Sequence, residues 1–487
     1  MSRIYGGLGL LVLVGCTKVA PPPSPSPDGA ITRVIGGLRP PVAVANAPAA
    51  TYSLADRLAH YKVPGVSIAV VDSGRLVWAK GFGVKEAGTT DSVTPTTMFQ
   101  AASISKPVAA TAVLRLVEEG KLNLDQDVNL YLTSWKVPDN RYVKVHKPTL
   151  RRIVSHSAGF TVHGFPGYAS GAPLPTVAQI LDGKKPANTP PVRIDTMPGM
   201  LWRYSGGGIT VMQQAVMDVT KEPFAVTMQR LVLGPVGMKH STYQQPLPDS
   251  LAGQVAAAHE VDGSVTPGRW HSYPEQAAAG LWTTPTDLVT WAMSISDAFE
   301  DAGKSGVLSS DMAKAMLSVA KAPSGLGPML AGKGKGFNFS HGGSNQGFRC
   351  EFIYFPALHQ GAAVMTNGEA GSGLAQEILY AIAAEYKWPE YGPKTITPIV
   401  LDSAALTGYS GSYTIVKPDS ATVIVTNDGK HLYAEIPARL AKSEVVFSVP
   451  NQGILVESGE EINFQFGKTG NIDQVILAGF TFKRKGK

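Results

Sequence analysis

Residues 99–128 read FQAASISKPVAATAVLRLVEEGKLNLDQDV, and the rest of the chain is best read outward from this stretch. Val108, Ala112 and Leu116, with Val113 and Val117 on the adjoining rows, form an apolar face at helical spacing. Pro107 falls in the first turn, where a missing N–H costs little, and Gly120 follows as a stop signal. Ser103 opens this helix, and Lys106 lies three residues on, nearly one turn, so the two share a face. A helix N-terminus offers free N–H groups and a positive end, which favour an alkoxide and an oxyanion. An ammonium buried there can exchange a proton with the serine hydroxyl. Serine at such a position is equally an N-cap and lysine equally solvated, so S-x-x-K alone leaves nucleophile and cap open. A second S-x-x-K, Ser318/Lys321, lies in SSDMAKAMLSVAKAPSG, which reads as an ordinary surface helix.

Upstream, VSIAVV (66–71) and RLVWAKGFGV (75–84) flank Asp72-Ser73-Gly74, a hairpin signal. Helical stretches are expected at 148–155, 208–219, 224–232, 286–296 and 372–386, and strands at FRCEFIYF (348–355) and GAAVMTN (361–367). Hairpin, many helices, then strands predicts an α+β layer whose N- and C-terminal strands share one antiparallel sheet. After residue 395 the pattern changes. TVIVTNDGKHLYAEI alternates around Asn427-Asp428-Gly429, and EVVFSV, GILVES, INFQFG and QVILAGFTF follow with no helical pattern. Residues 396–487 are therefore expected to form a separate all-β domain, a small barrel or half-barrel.

Composition bounds the function. The 487 residues are 44% apolar and 16% charged, enough to bury a large core. Two cysteines exclude a disulfide framework, and no Cys/His cluster has zinc spacing. The net charge of +6 owes much to Lys483, Arg484, Lys485 and Lys487, read as a basic tail. No basic stripe with interleaved aromatics supports a nucleic-acid partner. Cys350, in an apolar strand, reads as a buried, inert thiol.

The first sixteen residues, MSRIYGGLGLLVLVGC, carry a short apolar run too short to span a bilayer. LVGC at 13–16 resembles a bacterial lipoprotein box, which makes Cys16 a lipid anchor. APPPSPSPDGA (20–30) reads as an extended tether, within a Pro/Ser-rich linker over 17–50. The expectation is a membrane partner through that anchor and a location on the periplasmic side of a bacterial envelope.

Elimination narrows the chemistry. There is no G-x-S-x-G. Gly303-Lys304-Ser305 and Gly467-Lys468-Thr469 lack the earlier P-loop glycine, having Ala298 and Ile462 there. His259-Glu260 lacks the second histidine of a zinc helix, and no metal or cofactor is expected.

The segment at 99–128 strongly resembles the nucleophile segment of the serine beta-lactamase-related family, which includes class C beta-lactamases, DD-peptidases, D-aminopeptidases and family VIII carboxylesterases. TLRRIVSHSAGF (149–160), PGMLWRYSGGGITVMQQAV (198–216), GLWTTPTDLVTWAMSI (280–295) and FSHGGSNQGFRCEFIYFP (339–356) resemble later landmarks in the same order. The resemblance covers roughly residues 51–390, within a hydrolase domain read as 51–395, and the closing β domain resembles a lipocalin-like module. It implies Ser103 as acylated nucleophile, Lys106 as its partner and Tyr204 as the phenol that passes protons. It implies an oxyanion hole from the backbone N–H groups of Ser103 and Ser344. His341, Gly342, Gly343 and Gly206 then line the substrate. Two departures stand out: Gly206 replaces the usual asparagine of tyrosine-x-asparagine, and His341-Gly342-Gly343 replaces lysine-threonine-glycine. Both remove contacts for an amide side chain and a carboxylate. The implied activity is acyl-enzyme hydrolysis of short esters or small D-amino-acid amides or peptides. A beta-lactamase or DD-peptidase, or a non-catalytic envelope binding protein, are the alternatives. His156 reads as structural, His163 as a candidate for the pocket mouth, Trp202 as core, and Asp125 and Asp127 as the start of a helical turn.

Overall fold

The computed structural model describes residues 27–301, 306–415, 421–437, 440–468 and 470–485. Cys16 and the leader lie outside them, as do Lys304, Ser305, Thr469 and Lys487. The centre is a six-stranded sheet. In chain order its strands are β1 (Gly65–Asp72), β2 (Arg75–Gly83), β3 (Met329–Ala331), β4 (Asn338–Asn345), β5 (Phe348–Phe355) and β6 (Gln360–Thr366). Their order across the sheet is β2-β1-β6-β5-β4-β3, so the N-terminal hairpin joins the C-terminal strands, all antiparallel.

Both faces are covered, which is why VSIAVV is apolar at every position but one. Ala69, Phe352, Ala363 and Met365 belong to one core, whereas Val66, Ile68, Val70, Ile353 and Val364 belong to the other. Seven helices matter here: α1 (Pro27–Ile35), α2 (Leu54–Tyr61), α3 (Ser105–Glu118), α4 (Gly206–Thr220), α5 (Pro285–Phe299), α6 (Gly371–Tyr386) and α7 (Ser403–Tyr409). The first core holds α3 and α5; the second holds α1, α2 and α6. From Ser105 to Leu114 every residue of α3 is buried, so the expected single apolar face is a helix enclosed almost all round.

The expected tether needs correcting from residue 27 onward. Asp28 stands in the first turn of α1, and Ile31, Val34 and Leu38 bury against α6, a helical spacing hidden behind the proline run. Val42–Val44 then pairs in parallel with Lys394–Ile396. Ser318 follows the helix Ser310–Met316 rather than lying within it.

Beyond 396 the chain forms a closed barrel of eight antiparallel strands, from Gly411–Ile415 to Phe480–Arg484. The helix α7, which the sequence pattern does not announce, precedes it, N-capped by Asp402. Lys483 and Arg484 belong to the last strand rather than to a free tail, and Arg484 donates to Ser410 O and Ile472 O.

Barrel and hydrolase domain meet at an apolar cluster of Val42, Ile396, Val446 and Ile454 and at an ion cluster centred on Arg57. Arg57 on α2 donates to both Glu377 oxygens, at 2.7 and 2.5 Å, and to Glu457 of the barrel at 2.8 Å. Tyr61 donates to Glu377 and Tyr52 to Glu457. Removing one member leaves a buried charge uncompensated. Arg57→Ala should therefore lose about 3–5 kcal/mol in urea unfolding, and Arg57→Met with Glu377→Met should regain most of it.

Candidate active site

Ser103 sits in a tight turn, Ala102–Ile104, feeding directly into α3. Ala102 is fully buried with φ +48°, a left-handed conformation that costs a non-glycine residue about 1–2 kcal/mol. The surroundings hold it there. Ala101 N donates to Leu281 O, Leu281 N donates to Ser105 Oγ, and Tyr243 donates to Ser105 O. Ser103 itself is only partly buried.

One turn on, Lys106 is buried and its ammonium is held three ways. Nζ donates to Ser103 Oγ at 2.9 Å and to Ala278 O at 2.7 Å, and it lies 5.0 Å from the centroid of the Tyr204 ring. Ala278 can accept because it sits in a helix of one turn, Gln276–Ala279, whose last carbonyls have no intrahelical partner. The structure thus brings Ser103, Lys106 and Tyr204 together.

Tyr204 lies two residues before α4. Ser205 caps that helix, accepting from Gly208 N, and anchors the turn by donating to Thr161 O. Ser205 N donates to His156 Nδ1 at 3.2 Å, and the His156 ring lies 4.4 Å from that of Tyr204. His156 therefore satisfies backbone as the sequence reading had it, and also forms a wall of the tyrosine. No local sequence signal marks this second contact, because it spans 48 residues and depends on the positive φ at His156. His163 Nδ1 lies 2.6 Å from Tyr204 O, so His163 braces the tyrosine's backbone. Trp202 is half-buried rather than core and donates to Ser324 Oγ at 2.9 Å. Lys321 of the second S-x-x-K is bound to Gly199 O and Met200 O, which makes it a clamp on the turn before Tyr204. Asp127 caps a short helical turn, while Asp125 pairs with Arg151.

The opposite wall is β4. Beyond Ser340 it has no β3 partner, so its edge at His341–Ser344 is open. A Cβ on Gly343 would lie 2.3 Å from Ala101 O and 2.4 Å from Cys350 Sγ, so only glycine lets this strand approach the nucleophile turn. Cys350 is buried, and burial pushes its thiol well up, in keeping with an inert residue. His341 lies 6.0 Å from Tyr204 between ring centroids. Burial, and then the Lys106 charge, lower His341 to about 4, and the same two causes hold His156 well below its ordinary value. At Gly206 a Cβ would lie 3.0 Å from both His163 O and the Phe165 ring, so any side chain there would need the 163–165 segment to give by a few tenths of an ångström. Among the described residues no group of three or more His, Cys, Asp or Glu could hold a metal ion. No helix among them is long and apolar enough to cross a membrane.

Glu275, just before the helix that carries Ala278, is fully buried, and neither carboxyl oxygen has a partner at normal hydrogen-bond geometry. Burial pushes it up to about 8. The folded protein then holds a proton that the unfolded chain releases near 4.5, so stability falls as pH rises between those values, by about 1.4 kcal/mol per unit. Glu275→Gln should gain on the wild type progressively from pH 5 to 8 in paired thermal melts. Gly343→Ala should cost about 1–3 kcal/mol and depress turnover strongly, as read by unfolding and by rate.

Protein flp of Staphylococcus aureus (strain N315) is 26% identical over 227 residues, covering 46% of this chain and 42% of its own. The chain thus spans less than half the length of the curated relatives it matches. Among solved structures, the octameric penicillin-binding protein homologue of Pyrococcus abyssi superimposes with TM-score 0.61 at 21% identity, covering 88% of this chain and 98% of that one. SurE with D-Leu gives TM-score 0.54 at 21% identity, covering 89% and 97%. These likenesses carry the fold, barrel included. The family model described as Beta-lactamase matches residues 53–387, most of the sequence, and the chain belongs to that family.

Proposed function

We propose that this protein is a serine hydrolase that works through an acyl-enzyme on short-chain esters or small D-amino-acid amides and peptides. The observation that carries it is the Lys106 ammonium held between Ser103 Oγ and Ala278 O beneath the Tyr204 ring. Because Nζ donates to Ser103 Oγ, the hydroxyl's own proton is directed elsewhere, and Tyr204 is the acceptor we assign to it. Ser103 Oγ attacks the carbonyl carbon, and the oxyanion meets the backbone N–H groups of Ser103 and Ser344. Tyr204 then protonates the leaving group. Water repeats the sequence on the acyl-enzyme and frees Ser103. The D-Leu bound to SurE makes D-amino-acid derivatives a natural class to try.

Beta-lactams and peptidoglycan stems are the second reading, and family membership favours it. Against it stand the missing amide at Gly206, where even a Cβ would press on His163 O and the Phe165 ring, and a neutral imidazole at 341. A non-catalytic binding role is disfavoured by the three-way hold on Lys106. For location we propose the periplasmic side of the envelope, with Cys16 as lipid anchor and residues 17–26 as the tether before α1.

A turnover panel of short acyl esters, a chromogenic cephalosporin and D-alanyl amides tests the substrate class. Esters or amides should be the faster substrates, and inert esters beside rapid cephalosporin turnover would reverse the assignment. Ser103→Ala should lower kcat/KM on the order of 10⁴-fold or more. A fluorophosphonate should modify Ser103 in folded protein, and an unmodified Ser103 would favour the binding role.

A further inference from the structure

His341 stands where the related hydrolases carry a lysine, and the geometry makes it something other than a weaker lysine. Its Nδ1 lies 2.6 Å from Gly342 O. A carbonyl only accepts, so Nδ1 carries the ring's proton. Nε2 is then the bare nitrogen, and it is sealed from solvent with no hydrogen-bond partner. Charging the ring would place a second proton on a buried atom facing the field of Lys106. The side chain lies on the nucleophile side of the sheet, because Gly343, two residues on and so on the same face, is the residue whose Cβ would meet Ala101 O.

Among the described residues, the cations on the adjoining elements are committed elsewhere. Lys106 is committed to Ser103, Ala278 and the Tyr204 ring. Arg203, beside Tyr204, is bound to Gly159 O and Asp195. Arg349, the register partner of Ser344, is bound to Asn345 O and ion-paired with Glu369.

From this we infer that His341 determines specificity as a fixed neutral wall. The site takes substrates that are uncharged on the leaving-group side and discriminates against a carboxylate there. A carboxylate entering would lose its hydration against a neutral, closed surface. The inference rests on the acyl-enzyme reading above and adds a charge class to it.

A matched pair of esters of one short acyl group tests it, with m-carbamoylphenyl or m-carboxyphenyl as leaving group. The wild type should favour the carbamoyl ester at least 10-fold in kcat/KM at pH 7.5. His341→Lys should shift that ratio at least 10-fold toward the carboxy ester, mainly through KM. His341→Gln, which stays neutral, should keep the wild-type preference and guards against a lysine variant that fails to fold. A wild type that prefers the carboxy ester, or a folded His341→Lys with an unchanged ratio, overturns the inference. Fluorophosphonate labelling separates the two levels. If Ser103 is labelled and the ratios disagree, only the charge class falls. If Ser103 is unlabelled, or both esters are inert in labelled protein, the ester-hydrolase reading falls and takes this inference with it.

Discussion

A lone ammonium in a closed site governs this molecule. Lys106 is buried, and its three partners, a hydroxyl, a carbonyl and an aromatic ring, are all formally neutral. Burying a charge without a counter-charge is among the costliest things a fold can do. The surroundings compensate by giving each N–H direction something to meet and by keeping other cations away. Both imidazoles near it, His156 and His341, are driven toward their neutral forms, with Lys106 the second cause after burial in each case. Electrostatics in the site is therefore one statement made three times: a single positive charge, with neighbours that do not compete with it.

Holding that charge in place demands rigidity from three separate pieces of chain. The helix α3 is enclosed nearly all round, so Lys106 cannot swing out without unpacking a core. The Ala278 carbonyl is fixed because Gln213 accepts from Ala277 N and donates to Pro274 O. Tyr204 is fixed from behind by Ser205, His156 and His163. The left-handed Ala102, directly before Ser103, is held inside this frame.

Much of this was written in local pattern. Period-3.6 runs such as 206–220 and 371–386, and strands apolar on both faces, are signals that packing reinforces, so the α+β layer and its shared sheet were legible. The S-x-x-K spacing put Ser103 and Lys106 on one face because a helix dictates it. What was not legible depended on partners distant in sequence. Residues 27–38 look like linker until α6 supplies a surface for Ile31, Val34 and Leu38. His156 looks like a turn histidine until Tyr204 is folded onto it. The Gly206 departure shows only a missing amide, whereas the structure shows that even a Cβ there would press on His163 O and the Phe165 ring.

The barrel follows the same logic from the other end of the chain. Eight-stranded barrels can enclose a small ligand or fill themselves with side chains. This one does the second. Tyr409, at the end of α7, packs 5.0 Å from Phe447 and 4.8 Å from Phe464 between ring centroids, with Tyr413 and Leu477 in the same buried cluster. Its interior is therefore a core. What it offers the rest of the protein is an outer surface, and the charged part of that surface meeting α2 and α6 is Glu457 on Arg57. The same helices back the sheet on the face opposite the nucleophile, and β4 belongs to that sheet. The barrel's ion pair with α2 thus falls on the layer behind the site, and its side-chain-filled interior is a core.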